Sequence, residues 1–336
     1  MALLAGCTLI APLGGLSDAL EGEGGPAGNP AQGSDGAPAD AFLAADQGVV
    51  GPGEEAGPVP EGGSTSDAGG CTTLCACQND TECPKGGVCA NSLTVTPALY
   101  AAAGGASFCT LACCSSADCP AGTVCFASGA GGQYCVAPSW IGRSAPGTAL
   151  GGAACSSDGA CRSGLCASGQ CADTCCSLAS SSSQCAAGVC AFGAFPGRSF
   201  DTHFAPHCQA QTGSLGFGAS CSSSSQCRGG LCYQSGGGGN CTNPCETSAE
   251  CGPGNGCQFD QQGQDVYVAC FPTPGSKADG LACTMDSQCA GYWCNSSSEC
   301  TGACFRNSDC TVSGWYCRTE ADTVPTGTYD VLVCGP

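Results

Sequence analysis

The stretch Cys221-Ser222-Ser223-Ser224-Ser225-Gln226-Cys227-Arg228-Gly229-Gly230-Leu231-Cys232 decides how this chain folds. It returns, altered but in register, as Cys283 to Cys294 around Cys289 and Gly291. The shared pattern is Cys, about five residues, Cys, two or three residues, Gly, one or two residues, Cys. Copies begin at Cys77, Cys113, Cys155, Cys175, Cys221, Cys245, Cys283 and Cys304. The residue before the middle cysteine is usually acidic or Gln, as at Glu82, Asp118, Gln184, Gln226, Glu250, Gln288 and Asp309. Each triplet is followed, after a variable segment, by a fourth cysteine. Of 336 residues 37 are Cys, and all but Cys7 lie between Cys71 and Cys334.

So many cysteines imply either a disulfide framework made in an oxidising compartment or a metal store. Spacing separates the two. Zinc and iron–sulfur knuckles use Cys-x-x-Cys, which lets one turn present both thiolates, and that spacing is absent from this chain. Its absence also removes the thioredoxin-type redox motif. The repeat reads instead as eight units of four cysteines, each able to hold two internal disulfides. The units include Cys155-Cys161-Cys166-Cys171, Cys221-Cys227-Cys232-Cys241, Cys245-Cys251-Cys257-Cys270, Cys283-Cys289-Cys294-Cys300 and Cys304-Cys310-Cys317-Cys334. Pairing within a unit stays open at this point. So does the pairing of four surplus cysteines: Cys71, one of Cys75 and Cys77, and the second members of two vicinal pairs, Cys114 and Cys176.

Units join in pairs, because the fourth cysteine of one precedes the first of the next by a short constant step, as in Cys241 to Cys245 and Cys300 to Cys304. The expected organisation is a divergent double unit at 71–135 and double units at 152–208, 218–270 and 280–334. Repetition of this kind signals tandem small modules rather than one large core. Only 21 residues are aromatic (3 Trp, 7 Tyr, 11 Phe), while Gly, Ala and Cys are abundant. At this module size burial alone is marginal. A cystine closing a loop of about 15 residues contributes ~3 kcal/mol through the unfolded chain, so the cystines take over part of the stabilising role of a core. The apolar residue before the third cysteine (Val88, Val124, Leu165, Val189, Leu231, Trp293) reads as a short strand leaving a turn. Glycine and serine interrupt every segment, so long helices are not expected. The fold class is therefore small and disulfide-rich: tandem cystine-pinned modules of short β-hairpins and loops after a disordered N-terminal spacer.

The first seven residues end in Leu4-Ala5-Gly6-Cys7, which resembles the lipobox of bacterial lipoproteins. That resemblance implies cleavage before Cys7 and a lipid on its sulfur. No basic region and only a short apolar run precede it, so most of a signal peptide is expected upstream of Met1. Residues 8–70 form a Gly/Pro/acidic spacer. Ten carboxylates and no Lys or Arg occur before residue 71. Such a composition cannot bury enough apolar surface to order itself. No segment is long and apolar enough for a membrane helix.

The net charge of −19 and the scatter of eight basic residues exclude a nucleic-acid-binding patch. No phosphate loop or nucleophile elbow occurs. Neither a metal nor a cofactor is expected. His203 and His207 are separated by Pro206 in a long inter-cysteine segment read as an exposed loop. The last double unit places aromatics where other copies have Val or Leu, giving Tyr292, Trp293, Trp315 and Tyr316 as candidate binding residues. Packing against cystines and a protein- or glycan-binding platform both explain them.

The repeat resembles the Dickkopf N-terminal type of extracellular cysteine-rich module, and the repeats of bacterial cysteine-rich lipoproteins. This resemblance covers residues 71–334 and implies the fold class more than an activity. The functional expectation is a non-enzymatic, exported array, anchored at the outer membrane or cell surface, that contacts an extracellular protein, matrix or glycan. The alternative is a secreted inhibitor or ligand acting through an exposed inter-cysteine loop, carried by one of the long loops 90–108, 191–207 or 318–333.

Overall fold

Every four-cysteine unit is a single tight turn followed by one antiparallel hairpin. The third and fourth cysteines sit directly opposite each other in all eight hairpins, from Cys89 opposite Cys109 to Cys317 opposite Cys334. Opposed residues share one face of a two-stranded ribbon, so both sulfurs point back at the preceding turn. The first and second cysteines flank that turn. First then bonds third, and second bonds fourth. The Cα atoms are 5.8–6.0 Å apart in the first class. They are 5.2–5.5 Å apart in the second. Both lie within the ordinary range for cystines, and their near-constancy shows one geometry repeated eight times.

The computed structural model describes residues 74–84, 86–129, 131–197, 204–235, 238–262, 265–273, 275–324 and 327–336. The expected lipid site at Cys7, the spacer 8–70, Cys71 and His203 lie outside them. All described residues belong to one compact unit, Cys71–Pro336. Its strands form seven two-stranded sheets and one three-stranded sheet, so the small, disulfide-rich hairpin fold expected from the repeat is the fold observed.

Two polar positions hold the turn. The residue before the middle cysteine reaches back to the start of its own turn. Glu82 accepts from Gln78 N, Asp118 from Cys114 and Ser115 N, Gln184 from Cys176 N, and Gln226 from Ser222 N. Glu250, Gln288 and Asp309 do the same for Glu246, Thr284 and Phe305. The third unit has Ala160 here and lacks this bond. A second position is occupied in all eight units. An Asp, Ser or Asn at the head of the turn accepts from the N–H of the third cysteine: Asp80 for Cys89, Ser116 for Cys125, Asp158 for Cys166 and Ser181 for Cys190. Ser224, Ser248, Asp286 and Asn307 serve Cys232, Cys257, Cys294 and Cys317. The bond ties turn to hairpin before any sulfur is considered. Ser248→Ala orphans the Cys257 N–H and is expected to cost about 1 kcal/mol. Guanidinium unfolding with cystines intact measures it, with the exposed Ser225→Ala as a neutral reference.

Units associate in pairs through one recurring contact. The third residue after a unit's fourth cysteine bridges to the residue before the next unit's fourth cysteine: Ala112 to Tyr134, Thr174 to His207, Pro244 to Ala269, and Ala303 to Val333. In three of the four pairs a threonine adds a bond to the fourth-cysteine carbonyl of the partner unit: Thr110 to Cys135, Thr242 to Cys270, and Thr301 to Cys334.

Each of the segments expected as long loops contains regular structure. Residues 90–108 include the helix Pro97–Ala102. Of residues 191–207, 191–194 and 204–207 lie in the paired strands Val189–Ala194 and Phe204–Gln209. Residues 318–324 and 327–333 belong to the hairpin Tyr316–Val324 with Gly327–Gly335. His207 is accordingly a strand residue, buried and edge-on to Phe195, and not part of an exposed loop. Extended strands give these segments the backbone partners that a loop of that length would lack.

The tandem modules also fold back on one another. Val88, Phe108, Phe126 and Tyr134 of the first double unit share a buried cluster with Cys317 and Leu332 of the last. Of the four surplus cysteines, Cys114 and Cys176 bond each other across 62 residues. Cys77 belongs to the first unit, which makes Cys75 the surplus member of its pair; Cys75 is itself disulfide-bonded. The Cys114–Cys176 cystine is fully buried among Cys245, Val268, Ala303 and Phe305. Glycine is required at two joints. Gly164 and Gly230 have φ of +67° and +72°, and a Cβ there would stand 2.2 and 2.4 Å from the carbonyl oxygens of Ser144 and Phe192.

Candidate functional site

The seam between the first and last double units contains an open groove. Its floor follows from the turn chemistry just described. Asp80 heads the turn Asp80–Glu82, capped by Asn79, whose Oδ1 accepts from Thr81 N at 3.1 Å. One oxygen of Asp80 holds Cys89 N at 2.7 Å, as in every unit. The other accepts from Thr319 N and Oγ1 at 3.2 and 3.1 Å, from a strand 239 residues away. Asn91 donates to Asp330 at 3.0 Å, and Asn307 to the carbonyl of Gly86 at 3.4 Å, across the same seam.

Between these clasps lies a cavity of about 360 Å³, lined by Gln78, Asn79, Thr81, Tyr316, Arg318 and Thr319 together with Asp80 and Asn91. Gln78, Asn79 and Thr81 are exposed, while Tyr316, Arg318 and Thr319 are half-buried. Arg318 donates from Nη1 to the carbonyl of Pro336 at 3.4 Å, and its Nη2 lies 4.0 Å from Glu320 Oε2. Among the described residues no hydrogen bond occupies the Gln78 side-chain amide or the Tyr316 hydroxyl. A second cavity, of about 20 Å³, lies where all four double units meet, beside Gly131, Pro206, Val266 and Phe305. It has room for little more than a water molecule.

Of the four candidate aromatics, only Tyr316 lines the groove. Trp293 is half-buried and packs edge-on to Phe259, with centroids 5.8 Å apart, against Val266, Val331 and Val333. Trp315 packs on the buried cluster shared with the first unit. Tyr292 is 41% exposed and adopts φ +56°. It holds the place taken by Gly164 and Gly230 in two other copies, where neighbouring backbone covers the site. A bulky residue in left-handed backbone costs on the order of 1–2 kcal/mol. The two tryptophans thus sit in separate clusters. The groove residues of the first unit were not singled out by sequence reasoning, because a site assembled from residues 239 apart leaves no local pattern.

Several other ionisable groups are engaged at joints between units. Asp173, fully buried, accepts from Ser116 Oγ at 2.7 Å and Thr174 N at 3.0 Å; burial pushes its carboxyl up to about 6. Arg306 links three double units through Asp118 at 3.8 Å, Asp309 at 3.7 Å and a close pair with Glu246. Glu246 also accepts from Ser180 at 2.9 Å. Burial raises the carboxyls of Glu250, Asp260 and Asp309 and lowers the imidazole of His207. The sulfurs of cysteine triads such as Cys113, Cys119 and Cys125 lie within 4.8 Å of one another, as thiolates around a metal would. Here they are bonded in pairs and offer no thiolate. No helix among the described residues is long and apolar enough to cross a membrane. No family model, curated protein or solved structure matches the chain.

Proposed function

We propose that this chain is a non-enzymatic extracellular binding module, exported and held at a surface by a lipid on Cys7, with the spacer 8–70 as its tether. The observation that carries the reading is the cystine network: 17 disulfides among the described residues, 16 of them inside the repeating units. Frameworks of this density form and persist in oxidising compartments, and extensive disulfide bonding is consistent with an extracellular or exported protein. Support for a binding role comes from how polar groups are used. Asp173 and Glu250, whose carboxyls burial raises, act as joints between modules through Ser116 and Ser177, and the open concave surface is a groove rather than a set of reactive groups. Preorganised surfaces of this kind lose little conformational entropy on binding.

Fractionation with lipid labelling tests the proposal. The chain is expected in the membrane fraction, labelled with fatty acid, and gaining two hydrogens in mass per cystine on reduction. Cys7→Ala is expected to abolish the label and release the chain. A soluble chain with free thiols and bound metal would overturn the reading. Export with cleavage and release would favour a secreted inhibitor or ligand instead.

A further inference from the structure

Resting on the binding-module reading, we infer that the groove between the first and last double units takes a neutral saccharide. Its volume of about 360 Å³ is at the small end of ligand pockets, about 300–1,000 Å³. That suits one or two sugar rings and is too small for an extended peptide. The lining is the second argument. The Gln78 amide supplies two donors and an acceptor, and the Tyr316 hydroxyl supplies one of each. Both are left uncommitted by the fold. Vicinal sugar hydroxyls need such paired donors and acceptors, and the apolar face of a pyranose packs on an aromatic ring such as that of Tyr316.

The charges are the third argument. Asp80 has both oxygens engaged, by Cys89 on one side and Thr319 on the other. Arg318 is turned to Glu320 and Pro336. Arg318 Nη2 stands beside Glu320 while its Nε has no hydrogen-bond partner among the described residues, and the Asp80 carboxylate uses its lone pairs on neutral donors of the fold. A phosphate or uronate entering here would meet the Asp80 carboxylate and an Arg318 already beside Glu320, on a chain whose net charge is −19, and an apolar ligand would find no aliphatic wall. A neutral, hydroxyl-rich ligand satisfies all three conditions. Its site exists only because the chain folds back: Gln78 and Asn79 come from the first unit, Tyr316 and Thr319 from the eighth.

Saturation-transfer NMR on the full oxidised chain tests this. The probes are glucose, galactose, mannose, N-acetylglucosamine and their disaccharides, with glucuronic acid, sialic acid and a nucleoside monophosphate as comparators. At least one neutral sugar is expected to bind. Gln78→Ala and Tyr316→Ala should each weaken it about tenfold, which is ~1.4 kcal/mol, while Tyr292→Ala leaves it unchanged. Gln78 is exposed and its side chain is uncommitted, so its variant keeps the test decisive even where Tyr316→Ala misfolds beside Cys317. A folded chain that binds none of the neutral sugars overturns the inference. So does preference for the acidic probes, or unaltered binding by the Gln78 variant. Capture of a purified matrix protein without any sugar binding would sink the saccharide and leave the binding-module reading standing.

Discussion

Replacing Cys114 and Cys176 together by serine is expected to destabilise the folded chain by about 4 kcal/mol while leaving all 16 within-unit cystines able to form. This cystine differs from the others in what it closes. Within-unit bridges span 10 to 26 residues, whereas this one spans 62 and joins two double units. Loop-closure entropy grows with the logarithm of length and gives ~4 kcal/mol for a loop of this size. The internal cystines shorten the effective loop, but the logarithm makes that correction small. Both sulfurs are fully buried, so two serine hydroxyls placed there add a desolvation cost.

The joint does not vanish with the cystine. Ser116 still binds Asp173, Gln133 still donates to the carbonyl of Cys175 at 3.2 Å, and Arg162 still grips the carbonyls of Thr123 and Cys119 at 2.8 and 2.7 Å. The expected result is therefore a chain with intact modules but a weakened first-to-second junction. Guanidinium unfolding should show a lower midpoint, and limited proteolysis should open the connection at residues 136–154 first. Both cysteines are replaced together, since a single variant leaves a reactive thiol. An unchanged midpoint would show that the polar contacts alone hold the joint.

The second large effect is on pH. Asp173 titrates at about 6 in the folded chain, against an ordinary value of 3.8. Burial causes the rise, opposed by the Ser116 hydroxyl, the charge of Arg143 and the N–H groups of Ser116 and Thr174. A carboxyl that holds its proton more tightly when folded stabilises the folded state at pH values below the unfolded pKa. That stability is lost as pH rises from about 4 through 6. A rise of this size corresponds to about 3 kcal/mol. Burial acts first in the same direction on Glu250, Asp260, Asp279 and Asp309, and protonation also relieves the self-repulsion of a chain at −19. His207 opposes the trend, since burial lowers its pKa and keeps it neutral. The expected outcome is a higher unfolding midpoint at pH 5 than at pH 7, unlike proteins whose carboxylates sit in stabilising ion pairs. Asp173→Asn mimics the protonated acid, so it should raise stability at pH 7 and flatten the profile between pH 4 and 6. Unfolding at fixed ionic strength across that range measures both. A midpoint that falls from pH 7 to pH 5 in both proteins would contradict the assignment.

Much of the module was legible in the sequence. Val88, Val124 and Leu231 marked where strands leave the turn, because a tight glycine turn followed by an apolar residue and a cysteine has few other local solutions. The acid or Gln before the middle cysteine was visible as a pattern, and the structure supplies its cause, a bond to the first free N–H of its own turn. The Ser, Asp or Asn at the head of the turn was in plain view too, yet it went unread. Three interchangeable residue types in a serine-rich chain do not stand out until their common acceptor role is seen.

Pairing within a unit lay beyond the repeat. Spacing alone allows three connectivities for four cysteines. The choice of first with third and second with fourth follows only once Cys232 and Cys241, for example, are seen opposite each other on one ribbon face. The same holds between units. Cys114 and Cys176 were recognisable as surplus because they break the four-cysteine count, and their companion positions hold Glu246 and Phe305 instead. That these four positions gather at one buried junction is a property of how the double units pack. Trp293 and Trp315 looked alike in sequence but serve different clusters, whereas Tyr316 and Gln78 looked unrelated and share a groove. Local covalent spacing and turn chemistry act over a few residues, so the chain determined its own modules and their number. The closure of the first module on the last, the bond between Cys114 and Cys176 and the groove depend on contacts made across tens to hundreds of residues. Only the tertiary structure decided those, because no local rule reaches that far.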